Sequence, residues 1–351
     1  QYAWKLATEA HPHSQQLRAA WADCAALIQE PVSRRDTVTT LTQLVGCDDI
    51  AQLHTSQRLT QKLVSRELAD GRFRRLISLD SDVGDGQHHV SYLSERARLR
   101  SSAGRGATAW LRAMPTSYHT RVPNVDMRVA TQFWLGTIIP LLVASPPECD
   151  CHALRGQGPN GGPGLADLRG RHDTCCQNTS GSKLKRHNAV LRALRAAMNM
   201  IDIRSSFDDV LSIARGGQHT SAQSQLDLAV YDYHRGGAAP TLLDGVFTDP
   251  TASSYRRQAS RRAGTSSAGA EQRKTRRYRS QAEEVGYRFV PFGMDIFGSY
   301  GPVATRFLEE LTEHSRSLGL NDTRSLAGWS AAHWQEVARQ YLSVALQRGN
   351  V

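Results

Sequence analysis

QLDLAVYDYHRGGAAPTLLDGVFTDP, residues 225–250, holds two runs with the period of a β-strand. In the first, Gln225–Asp232, the residues Leu226, Leu228 and Val230 share one face and Asp227 takes the other, because successive side chains of a strand point to opposite sides of the sheet. The second, Leu242–Asp249, carries Asp244 among apolar neighbours, and Gly236-Gly237 supplies a turn between the two runs. Upstream, from Ser182, Leu184, Leu191, Leu194, Met198 and Ile201 form one helical stripe. Downstream, Tyr287–Phe292 reads as a third strand and Pro302–Leu318 as a helix with proline in its first turn. Helix, strand, strand, helix, strand is an α/β order, a small mixed sheet flanked by helices.

The two strand aspartates carry the chemistry in this reading. A carboxylate among apolar neighbours is costly unless it reaches a cleft or a cation. Asp227 and Asp244, brought together on neighbouring strands, can hold a magnesium ion, which polarises a scissile phosphate and lowers the pKa of an attacking water. The segment Tyr255–Arg279 has nine Lys or Arg against one Glu, with Ala263–Gly269 as a flexible interruption. From it Lys274 reaches in as charge stabiliser. The plainer alternative is that paired strand aspartates are edge or turn residues without chemistry.

The chain has 351 residues, 40% of them hydrophobic, enough for a real core and for two or three units. Lys and Arg number 43 against 33 Asp and Glu, a net charge of +10 that makes a polyanion, DNA or RNA, the expected partner. The longest apolar run, Phe133–Ala144, is interrupted by Pro140 and far too short to span a membrane, so no membrane partner is expected. No signal-peptide pattern follows Gln1, and the start reads as a fragment boundary.

Cysteine placement points to a metal. Cys24 and Cys47 stand alone, whereas Cys149, Cys151, Cys175 and Cys176 gather with His172 around the glycine-rich loop Gly156–Gly164. Such a loop cannot build a core and needs a staple. Zinc takes about four S or N donors, commonly as two close pairs. Cys149 and Cys151 form one pair, and His172 with Cys175 or Cys176 the other. This usage fits a reducing, nuclear or nucleocytoplasmic compartment.

The boundaries that follow are a helical connector over 1–90, a helical linker region over 91–148, a zinc knuckle over 149–181, an α/β domain over 182–318 and a C-terminal helical tail over 319–351. Apolar residues at helical spacing from Gln15 to Leu68 support the first. Ser78–His89 reads as a polar loop, and its DSDVGDG lacks the glutamate that closes a calcium loop. The helix opening near Lys183 and Lys185 presents Lys185, Arg192 and Arg195 on a cationic face, and Arg186 and His187 lie near the positive end of its dipole.

The order of segments carries a resemblance. ERARLRSSAGRGATAWLRAMP (95–115), the Cys-x-Cys pair, HDTCC (172–176), KRHNAVLRAL (185–194), LDLAVYD (226–232), LDGVFTDP (243–250), RKTRRY (273–278) and FVPFGMDIFGSYGP (289–302) follow one another. This succession resembles the region downstream of the reverse transcriptase in non-LTR retrotransposons, as in retroelement-derived open reading frames of algae and plants. The resemblance covers roughly residues 92 to 310 and implies a structural zinc knuckle ahead of a restriction-endonuclease-like domain of the PD-(D/E)xK type. It implies Asp227 and Asp244 as the metal-binding aspartates, and Lys274 and Tyr278 as the Lys and Tyr of the following helix. Arg186 and His187 match the Arg-His after the knuckle, and Lys183, Lys185, Arg192, Arg195, Arg273, Arg276 and Arg277 are the expected nucleic-acid contacts. The sequence departs from the pattern in three places: Gln225-Leu226 stand before Asp227 where Pro-Asp is typical, Val246 stands at the usual lysine position of the wider nuclease superfamily, and the knuckle loop is long and glycine-rich. No Tyr-x-Asp-Asp polymerase motif occurs, so a reverse transcriptase of the same element is expected upstream of Gln1 or lost. The expected function is magnesium-dependent DNA nicking. A catalytically decayed DNA- or RNA-binding module and a structural RNA-holding assembly protein are the rivals.

Overall fold

The chain divides into two units, Gln1–Asp82 and Val83–Val351. A computed structural model describes residues 86–151, 154, 156, 162–176, 180–207, 226–231, 239–324 and 330–351, with the backbone alone at 86–91, 175 and 180, all within the second unit. The helical pattern of Gln15–Leu68 and the Gly236-Gly237 turn lie outside the described residues.

The chain opens with helices α1 (Gly86–Ser102), α2 (Ala109–Arg112), α3 (Asn124–Leu135) and α4 (Pro140–Ala144). A two-stranded pair follows, β1 (Glu148–Cys149) with β2 (Gly164–Leu165), then the short helix α5 (Arg171–Cys175) and the long helix α6 (Ser180–Asn199). Next come β3 (Ser205–Ser206), β4 (Leu228–Val230), β5 (Thr241–Thr248), α7 (Arg256–Ala259), α8 (Thr265–Glu284) and β6 (Arg288–Asp295). Helices α9 (Pro302–Ser317) and α10 (Trp334–Asn350) close the chain. Among the described residues no helix is long and apolar enough to cross a membrane.

The fold is mixed α/β, built on a four-stranded sheet of order β3-β4-β5-β6. β3–β4 and β4–β5 are antiparallel, while β5 and β6 run parallel over their full eight residues, with α7 and α8 in the connection between them. Parallel neighbours need such a crossover, and both faces of their sheet are then covered. One face presents Leu228, Val230, Leu243, Val290 and Phe292 to Leu191, Leu194 and Met198 of α6, Phe307 of α9 and Trp334, Leu342 and Leu346 of α10. The other presents Ala229, Leu242 and Phe289 to Tyr278 and Ala282 of α8. The period of 2 in the strands and of 3.6 in the helices is thus met by packing on both sides.

Two segments differ from the sequence expectation. Residues 86–89, read as part of a polar loop, belong to helix α1. Ala263–Gly269 is not a flexible interruption, because α8 runs from Thr265 and its Ser266 and Ser267 are buried against the Thr248 hydroxyl. Packing of small side chains against β5 overrides their weak helix propensity. Helix α10 packs into the core of the unit: Trp334 is fully buried and its indole N–H donates to the Ala197 carbonyl at 2.7 Å. The upstream helices join the same body, with Trp110 and Ala130 packed on Val344 of α10.

Glu271 of α8 fastens the sheet to the next helix. Its carboxylate accepts N–H bonds from Gly293 in β6 and from Val303 and Ala304 in the first turn of α9, at 3.1, 3.0 and 2.9 Å. Gly301 is required beside it, since an added Cβ would come within 2.3 Å of the carboxylate. Burial pushes Glu271 up to about 7 against the pull of the three N–H groups. Glu271→Ala leaves three buried donors without an acceptor and is expected to lower unfolding free energy by at least about 2 kcal/mol in chemical denaturation. Because the folded pKa is raised, the stability from Glu271 is fully present below about pH 4.5 and is lost as pH rises through about 7. The stability gap between wild type and Glu271→Gln is therefore expected to narrow from about pH 5 to about pH 8; a gap that widens would show the carboxylate to be ionised throughout.

Candidate functional site

Two clusters of side chains bring together residues that could carry chemistry. The first is the Cys/His group. β1 and β2 pair Cys149 with Gly164, placing Cys149 beside the loop that carries Cys151, and α5 delivers His172, with Cys176 as its C-cap. The donor atoms of Cys149, Cys151, His172 and Cys176 all lie within 4.8 Å of one another. Cys149 Sγ is 3.5 Å from Cys176 Sγ, and Cys151 Sγ is 3.7 Å from His172 Nε2. A tetrahedron with metal–sulfur bonds of about 2.3 Å has edges of about 3.8 Å, so these separations fit one ion such as zinc. Partial burial, reinforced by the Cys176 and Cys151 thiols, pushes Cys149 up to about 11. A Cys149 thiol raised in this way keeps its proton unless a cation replaces it.

The Cys/His cluster is braced by groups that the sequence reading did not single out. Asp167 accepts from the backbone N–H groups of Arg169, Arg171 and His172, at 3.0, 3.2 and 2.6 Å, and so fixes the start of α5. Glu95 of α1 pairs with Arg98, Arg169 and Arg171. An Asp a few residues before a short helix was the available signal for Asp167; Glu95 sits too far away in sequence to give one.

The second cluster is the pair of strand aspartates. Leu228 pairs with Leu243, and Asp227 N–H donates to the Leu243 carbonyl at 3.1 Å, so the antiparallel ladder sets Asp227 opposite Asp244. Asp227 Oδ2 takes a hydrogen bond from Gly245 N–H at 2.7 Å and is 2.9 Å from His187 Nε2 of α6. Gly245 allows this approach, because an added Cβ would press on His187 Nε2 at 3.3 Å. From the other side Lys274 of α8 reaches Asp244, with Nζ 3.1 Å from Oδ1 and 2.8 Å from Oδ2. Asp244 is 2% exposed. Burial pushes it up to about 7; Lys274 pulls it down and the facing Asp227 charge adds to the rise. Burial opposes charge on His187 too, but there the Asp227 carboxylate wins and the imidazole is raised above its usual value.

The remaining expected residues divide by face. Tyr278 is buried in the core against Phe289, with Lys274 and Arg277 over its ring at 5.3 and 5.1 Å. Arg273, Arg276 and Arg277 are exposed on α8. On α6, Lys183, Arg186 and His187 border a depression beside the aspartates, whereas Lys185, Arg192 and Arg195 are exposed. At 100° per residue, Lys185 and Arg192 point away from His187, so the cationic face expected on this helix is turned from the carboxylates. Arg195 lies over Phe207 at 5.3 Å. Arg186 is only 3% exposed: its guanidinium donates to the Thr174 carbonyl of α5 at 3.1 Å and to Asn350 of α10 at 3.2 Å.

Metal analysis of the purified protein is expected to give one equivalent of zinc, retained by Cys175→Ser and lost by Cys176→Ser, because the Cys176 sulfur completes the four-donor set. Zinc-free protein with reactive thiols at Cys149, Cys151 and Cys176 would exclude the centre.

No family model matches the chain, and no curated protein matches it.

Proposed function

We propose that the unit binds DNA and nicks one strand with a divalent metal, as a restriction-endonuclease-like domain of retroelement origin. The observation that carries this is the placement of Asp227 and Asp244 opposite each other on adjacent strands, with Lys274 on Asp244 and His187 on Asp227. Asp227 and Asp244 are the residues that would hold magnesium, which supplies polarisation of the scissile phosphate and activation of water. Asp227 is fixed for that task by its two bonds to Gly245 N–H and His187. Lys274, whose Nζ is 2.8 Å from Asp244 Oδ2, would neutralise charge building on a phosphate from its helix, while Val246 stands at the strand position where the wider superfamily has lysine. The exposed Arg273, Arg276 and Arg277 supply sequence-independent phosphate contacts.

One observation favours the rival, a binding module without catalysis. Each aspartate already has a cation of the protein beside it, so the cluster is electrostatically compensated without metal.

Asp227→Asn is expected to abolish magnesium-dependent nicking of supercoiled plasmid while DNA affinity stays within a few fold, since phosphate contacts lie on other residues. A variant that nicks like the parent, or a parent that binds and never nicks, assigns the module reading instead. Neutralising Arg273, Arg276 and Arg277 together is expected to flatten the slope of log affinity against log salt by about two to three. An unchanged slope would place the DNA elsewhere.

A further inference from the structure

We infer that the depression next to the aspartates is a nucleotide subsite that takes one unpaired nucleotide of the bound strand, its base stacked on Tyr255 and Arg273 and its phosphate on Lys183. The inference rests on the DNA-binding reading above and adds to it what kind of strand the site selects.

The depression has a volume of about 340 Å³, within the range of small-ligand pockets, and Lys183, Arg186, Phe247, Tyr255 and Arg273 line it. His187 belongs to its wall and is also the residue 2.9 Å from Asp227, so the pocket abuts the carboxylates. A second depression of about 430 Å³, lined by Lys274, Arg277 and Tyr278, shares Val246 and Arg273 with the first. Asp244 lies two residues before Val246 on the same strand face. A strand laid through both depressions therefore passes the aspartates with cations on either side.

The first depression differs from the second in chemistry. Besides its cations it has the aromatic walls Phe247 and Tyr255, and Arg273 lies over the Tyr255 ring at 5.4 Å while hydrogen-bonding its hydroxyl. An aromatic ring and a guanidinium plane held against each other form a platform on which bases stack without regard to sequence. Among the described residues one carboxylate stands in the wall, Asp249, which is 9% exposed and commits Oδ1 to the Thr251 N–H and hydroxyl. Lys183 and Arg273 outweigh it. A base paired within a duplex presents no free face to such a pocket, so the occupant is unpaired.

The test is fluorescence anisotropy, without divalent metal, using a short labelled oligothymidylate and a blunt duplex hairpin. Tyr255→Ala is expected to weaken the oligothymidylate about tenfold and the duplex by less than about twofold, with Tyr255→Phe keeping the single-strand affinity. Unchanged single-strand binding, or equal loss on both probes, overturns the subsite; a thermal melt matching the parent's confirms that Tyr255→Ala is folded. Plasmid nicking by the parent is run alongside. A parent that never nicks while Tyr255→Ala loses the single strand keeps the subsite and removes cleavage, and a nicking parent with unaffected Tyr255→Ala binding does the reverse.

Discussion

A buried guanidinium holds the unit together. Arg186 is the point at which α5, α6 and α10 meet, through the Thr174 carbonyl and Asn350. Asn350 extends the chain of contacts by donating to the Ile296 carbonyl just beyond β6. A charge this deep is tolerated only when its donors are engaged, and removing a partner strands it at a cost of several kcal/mol. The consequence is that α6 cannot settle on the sheet independently of α5. His187 is the next residue along, so the position of the imidazole on Asp227 is tied through Arg186 to Thr174 of α5. The helix that carries His172 thus reaches the depression through Thr174.

The carboxylates impose the second constraint. Cross-strand neighbours in an antiparallel pair have side chains close enough for like charges to destabilise the sheet. Here the repulsion is met from both faces, by His187 descending from α6 and Lys274 from α8. The rise of Asp244 to about 7 and the rise of His187 above its usual value are two sides of one balance: the pair favours one added proton or one added cation. A divalent ion competes with those protons and with Lys274 for the same oxygens, which is the physical choice between a cleaving site and a merely compensated one.

Much of the sheet was legible because its strands follow simple periods: LDLAVYD and LDGVFTDP alternate, and their spacing brings Asp227 opposite Asp244. The four-donor set was legible apart from the choice between Cys175 and Cys176, which depends on the last turn of α5. What charge counting missed was direction. Lys185 and Arg192 read as one cationic face with Arg186 and His187 nearby, yet helix rotation puts two of them in solvent and the others inside. Arg186 looked like a phosphate contact because nothing local marks a buried arginine; its partners are far away in sequence. Tyr255 gave no signal at all, since it acquires its surroundings from α6, β5 and α8 at once. Trp334 and Leu342 did carry a helical pattern, but only the facing stripe of α6 makes it core.

The difference in strand length explains why the site is where it is. β4 pairs with β5 over Leu228–Val230 against Thr241–Leu243, and Asp227 stands at its very start. β5 continues through Thr248 with its parallel partner β6, so among the described residues its other edge has no ladder partner from Val246 onward. An uncovered edge in the interior of a fold must be closed by side chains, and Lys183, His187 and Tyr255 come to it from α6 and from the residue before α7. The result is a depression at the carboxyl end of a parallel pair, the location where open α/β sheets ordinarily bind ligands. Its floor is strand and its walls are cations and aromatic rings. The short β4 thus does two things at once: it begins directly after the aspartate that needs a partner, and it leaves the edge of β5 open beside that aspartate.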